Sequence, residues 1–179
     1  TLAERYFRQA INATGGAGRV SETARLWLVR CATRRASLID DDCHEYAELA
    51  ETQTTAEDRA YYQFVTLKWE GLDTNKLPPH YAALMKTEPT RMHAQIVTIE
   101  DPLSRLLASS LVTLRKQADG ALLALAAETA STQGWRQPLL VYLKLLQKKA
   151  EQQGSVSEQQ VYAVRIRLIE EALGSPPIK

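Results

Sequence analysis

Turn-forming residues are scarce in this chain of 179 residues, which has 8 glycines and 7 prolines, against the roughly 12% that these two types make up in an average protein. Few turns mean long elements, and with aromatics at only 7% that favours helices over a β-rich domain. Two cysteines cannot build a disulfide scaffold, and they are too few for a structural zinc site unless histidines join them. A net charge of +1 excludes a general electrostatic affinity for nucleic acid or anionic membrane. No stretch approaches the roughly 18 apolar residues of a membrane span; the longest, at 121–127 and 139–146, are short or interrupted. The first residue is Thr1, as a removed signal peptide, a lipoprotein leader or a cut from a longer chain would leave it. A periplasmic or lipoprotein-type location and a cytoplasmic one therefore stand level.

What is present is helical periodicity. Leu2, Tyr6, Phe7, Ala10 and Ile11 share a stripe over residues 1–13, which Gly15, Gly16 and Gly18 should end. Ser21 can cap a helix over 21–39 that buries Ala24, Leu28, Cys31, Ala32, Ala36 and Ile39 and leaves Trp27, Arg30 and Arg34 on the opposite side. A short helix over 42–51 starts acidic, where the helix dipole favours negative charge. Thr54 with Glu57 reads as a capping box for a helix running to Gly71. Pro78 and Pro79 force an extended connection before a short helix over 80–86. The β-branched run Ile96 to Ile99 has no convincing strand to pair with, so 92–100 is read as helical or irregular.

Asp101 and Pro102 suit an N-cap and first helical position, and the series Leu103, Leu107, Leu111, Leu114, Ala118, Ala121, Leu122, Leu125 predicts one helix over 102–132 with Gly120 as a weak point. Helices opened by Pro138 and by the Ser155–Glu158 capping box come next, closed by Gly154 and by the Ser175-Pro176-Pro177 tail. The last has an apolar face of about 200°, which needs at least two neighbours to cover it. The expectation is an all-α fold of about seven helices, an antiparallel bundle or a short α-solenoid. It forms a single domain over 1–179 or two subdomains, an irregular helical part at 1–89 and a three-helix antiparallel part at 101–174, with 175–179 as a tail. The offsets of a tetratricopeptide-like period of about 34 residues do not recur.

The small net charge conceals a segregation. Residues 19–35 carry five arginines against Glu22, and residues 40–58 carry eight acids with no lysine or arginine. Such segments most simply neutralise each other across a helical hairpin, and Arg35, on the apolar face, needs a carboxylate partner from the acidic helix. The alternative is a partner-binding surface in which Trp27, Arg30 and Arg34 form an aromatic and cationic anchor. Asp40 to Asp42 lack the glycine turn and bidentate Glu of a calcium loop, so no metal site is assigned. Cys31 and Cys43 flank a predicted turn and are either two thiols or a disulfide.

The three histidines stand alone, with no zinc motif, nucleophile elbow, phosphate loop or dinucleotide fingerprint; no catalytic residue and no cofactor is assigned. The expected function is that of a non-enzymatic protein–protein interaction module, an adaptor, accessory or assembly factor, with another protein as partner. Its Ala/Leu/Gln-rich style resembles bacterial proteins, with envelope or secretion machinery as one home. The alternatives are a nucleic-acid-associated regulator using Lys144, Lys148, Lys149, Arg165 and Arg167, disfavoured by the modest charge, and a small helical enzyme that pairs Arg35 with Glu45 or Glu48.

Overall fold

A computed structural model of the chain describes residues 2–51 and 54–174. Among them are ten α-helices, two short 3-10 turns and no strand, so the fold is all-α, with ten helices where the sequence suggested about seven. The expected tail at 175–179 lies outside the described residues. The chain forms two compact units, Thr1–Arg35 with Ile39–Lys86, and Ala36–Leu38 with Thr87–Lys179.

The first unit holds α1 (Leu2–Gly16), α2 (Val20–Ala36), α3 (His44–Ala50), α4 (Ala56–Val65) and α5 (Pro79–Met85). Gly15 and Gly16 do not break α1. Its end is set by Gly18 at φ +67°, where Arg19 N donates to Thr14 O and Gly18 N to Gly15 O. This is the paired C-terminal cap in which one left-handed residue turns the chain back on the last carbonyls. On α2 the expected face of Ala24, Leu28, Cys31, Ala32 and Ala36 is buried. Thr55, one residue after the expected Thr54, caps α4 by accepting from Asp58 N. The aromatics form much of the interior: Phe64 stacks on Trp69 and lies 4.5 Å from the Tyr81 ring, while Tyr46 packs on Tyr62.

The second unit holds α6 (Met92–Val97), α7 (Pro102–Leu114), α8 (Gly120–Thr132), α9 (Arg136–Gln152) and α10 (Val156–Gly174). The β-branched run forms no strand: α6 ends at Val97 with Ile96 buried on it, and Ile99 is buried in the connection just beyond. Asp101 caps α7 as expected, accepting from Ser104 N at 2.7 Å. The single helix expected over 102–132 is two. Lys116 takes φ +59° and Gln117 N returns to Val112 O. Asp119 then caps α8 through Leu122 N at 2.7 Å. The chain folds back there, so the anticipated continuous seam does not form. α7 packs on α8, α8 on α9 and α9 on α10. Each helix therefore leans mainly on its chain neighbours, as in a solenoid, rather than closing a four-helix ring.

A left-handed backbone costs a residue with a Cβ roughly 1–2 kcal/mol, and glycine far less. Lys116→Gly should accordingly raise the stability of the second unit by about 1 kcal/mol, read as a higher urea midpoint at unchanged slope. An unchanged or lower midpoint would show that the Lys116 side chain repays its backbone strain.

Candidate functional site

The charge segregation resolves into individual pairs along α2. Arg25 meets Asp58 at 2.9 Å, Arg34 meets Asp41 at 2.6 Å and Arg35 meets Asp40 at 3.0 Å. Arg35 is paired as the wheel required, but with the loop residue Asp40 rather than Glu45 or Glu48. Its guanidinium also donates to the Asp41 and Val65 carbonyls. Asp41 Oδ1 accepts from Cys43 N at 2.8 Å and Asp42 Oδ1 from His44 N at 3.2 Å. The acids before α3 thus bind the backbone at its start, as carboxylates do at a helix N-terminus.

Cys31 and Cys43 are joined by a disulfide with their Cα atoms 5.4 Å apart, inside the range such a bond requires. Asp41 Oδ1 lies 3.3 Å from the Cys31 sulfur. The two sulfurs and this carboxylate sit close enough together to hold a metal ion. Bonded to each other, however, the sulfurs offer no thiolate, which is the form that ligates. Arg30, Arg34, Asp40, Asp41, Asp42, His44 and Glu45 line an open groove of about 520 Å³. Within it Arg34 pairs with Asp41, while Arg30 turns to Glu4, Asp40 to Arg35 and Asp42 to His44, and no nucleophile is among the lining residues.

Of the residues expected to form an anchor, Trp27 and Arg30 come together, but they are engaged within the unit. The Trp27 ring meets Phe7 of α1 edge-on at 5.0 Å. The Arg30 guanidinium sits 5.0 Å from the Phe7 ring centre and 5.3 Å from that of Trp27, and pairs with Glu4 at 3.3 Å. These contacts clasp α1 to α2, helped by a bond between the Thr23 and Thr14 hydroxyls. Arg34 does not join them; it turns to Asp41. A Trp–Arg pair was legible in the sequence, but its use inside the unit was not, since it depends on where α1 docks.

The remaining candidates are dispersed. The three histidines lie on α3, α5 and α6. In the basic C-terminal helices Lys144 pairs with Glu170 at 2.8 Å and Arg167 approaches Glu171 at 3.9 Å. Tyr142 is fully buried, its hydroxyl has no hydrogen-bond partner among the described residues, and burial pushes its pKa up.

The sequence pattern alone did not single out the outer side of α10. Ile166 is buried, and Ser155, Gln159, Tyr162, Arg165 and Ile169 are half-buried where the helix packs on α9. The opposite side presents Val161, Val164 and Leu168 at exposures of 55, 42 and 56%. The available signal was the width of the apolar face: it asked for two neighbours, and among the described residues α10 packs substantially only on α9. Comparison of the chain with family models, curated proteins and solved structures finds no match in any of the three.

Proposed function

We propose that the protein is a non-enzymatic interaction module, an adaptor or assembly factor whose contact surface is the outer face of α10. One observation carries this reading. The last helix of a stack in which each helix covers the next should be polar on its outer side, yet α10 exposes Val161, Val164 and Leu168 there. Large exposed apolar side chains scattered singly are ordinary, but contiguous ones rimmed by charge mark interaction sites. The groove between α9 and α10, about 490 Å³ and lined by Gln147, Val156, Gln159, Gln160, Ala163, Val164 and Arg167, adjoins this stripe and could seat side chains of the occupant.

A photo-crosslinking amino acid at Val161, in cells that natively make the protein, should yield a polypeptide adduct that Leu168→Glu abolishes. The same probe at Glu128, exposed on α8, should yield none. No adduct from Val161, or equal adducts from both positions, would overturn the reading.

A further inference from the structure

We propose that the α10 face pairs with the α10 face of a second copy of this chain, the two helices running antiparallel. This rests on the reading of that face as a contact surface and names its occupant.

The stripe has a heptad spacing: Ser157, Val161, Val164 and Leu168 lie at alternating steps of four and three, the seam along which two helices interlock. Glu158 and Arg165, seven residues apart, sit together on one flank. Neither has a salt-bridge or hydrogen-bond partner among the described residues, whereas Arg167 on the other flank reaches Glu171.

These two charges select the arrangement. Antiparallel helices with Val161 of each copy against Val164 of the other also bring Leu168 beside Ser157. In that register Glu158 of each copy stands next to Arg165 of the other, giving two equivalent ion pairs about a two-fold axis. Sliding the helices so that Val164 meets Leu168 sets Arg165 against Arg165. A parallel pair places Gln160 opposite Arg165 and forms no ion pair. Only the first register answers both charges, and it continues the stack from α9 through α10 into the second copy. The seam is short, so the association should be weak and dependent on concentration.

Sedimentation equilibrium of the purified full chain tests this. The expected result is a monomer–dimer equilibrium with a Kd of about 10 to 100 µM. Leu168→Glu should abolish the dimer. Arg165→Glu or Glu158→Arg alone removes two ion pairs and creates two like-charge contacts, and should weaken the dimer about tenfold. The double reversal should return it to within about threefold of the parent. Leu168 and Glu158 are exposed and Arg165 is half-buried on the flank of α10, so helix content by circular dichroism should be unchanged. A chain that stays monomeric up to about 0.5 mM would overturn self-pairing, and an adduct from Val161 to a different polypeptide would still uphold the contact surface. A dimer indifferent to Leu168→Glu, or a double reversal as weak as the single ones, would overturn the proposed register.

Discussion

Replacing Cys31 and Cys43 together by alanine should destabilise the first unit by about 3 kcal/mol, the loop-closure entropy that a bridge over this span withdraws from the unfolded chain. The span is 12 residues, running from the buried face of α2 into the loop before α3. It crosses from α2 to α3 through two left-handed residues, Leu38 and Cys43, each of which costs a non-glycine residue roughly 1–2 kcal/mol. Holding Cys43 there are its bond to Cys31 and the Asp41 carboxylate on its N–H. The same loop carries Asp40 and Asp41 to Arg35 and Arg34. Losing the bridge should therefore loosen the ion pairs as well, and the loop amides should exchange faster with deuterium than those of α2. Urea unfolding of the oxidised, reduced and double-alanine forms is the measurement. The last two should agree with each other and fall below the first. A double variant within about 0.5 kcal/mol of the parent would mean that the loop is held by its other contacts alone.

Arg35→Ala should cost about 2–3 kcal/mol, for a reason other than charge pairing. Arg35 is 6% exposed, yet the Asp40 side chain it meets is fully solvated, so that pair is weak. Its structural partner is Val65. The last four carbonyls of a helix find no donor within it, and α4 ends at Val65. Thr66 N returns to Tyr62 O, Lys68 N to Gln63 O, and the Trp69 indole N–H donates to Phe64 O at 2.8 Å. The Val65 carbonyl takes the Arg35 Nε–H at 3.2 Å, which also sets a cation at the negative end of the helix dipole. Truncation strands a buried carbonyl and leaves a void where the stem packed. Arg35→Met, which keeps most of the volume, should recover part of the loss, and Asp40→Asn should cost less than about 1 kcal/mol. Equal losses for Asp40→Asn and Arg35→Ala would place the stabilisation in the ion pair instead.

The expected helix ends that failed share one cause. Where the capping residue is glycine, at Gly18, Gly134 and Gly154, the sequence showed the stop at or within a few residues of its place. Where it is Leu38, Leu67 or Lys116, all with φ near +60°, the expected helix ran on: to Ile39, to Gly71, and across the whole α7–α8 junction. The hydrogen bonds are of the same kind in both sets, with Ile39 N returning to Arg34 O and Lys68 N to Gln63 O as Arg19 N does to Thr14 O. A leucine or lysine carries no local preference for that conformation, so nothing in its own chemistry announces it. Asp119 before Gly120 was the one local clue to the α7–α8 break, since an aspartate that caps a new helix implies that the old one has ended.

The site divides along the same line. That α2 is basic and the segment after it acidic, that Arg35 must be answered inside, and that Cys31 and Cys43 flank one turn are properties of spacing and charge, readable without coordinates. Which acid answers which arginine depends on how the loop folds over the helix end, and Trp27 with Arg30 became the clasp for α1 because α1 docks where it does.

By itself, then, the sequence determined the helical class and the face each well-marked helix turns inward, because hydrophobic periodicity is a local property of consecutive residues. It also determined that the last helix has more apolar surface than one neighbour can cover. The tertiary structure alone decided how many neighbours that helix has, since burial is counted over residues distant in the chain. α9 covers one side of α10, and Val161, Val164 and Leu168 are left facing outward.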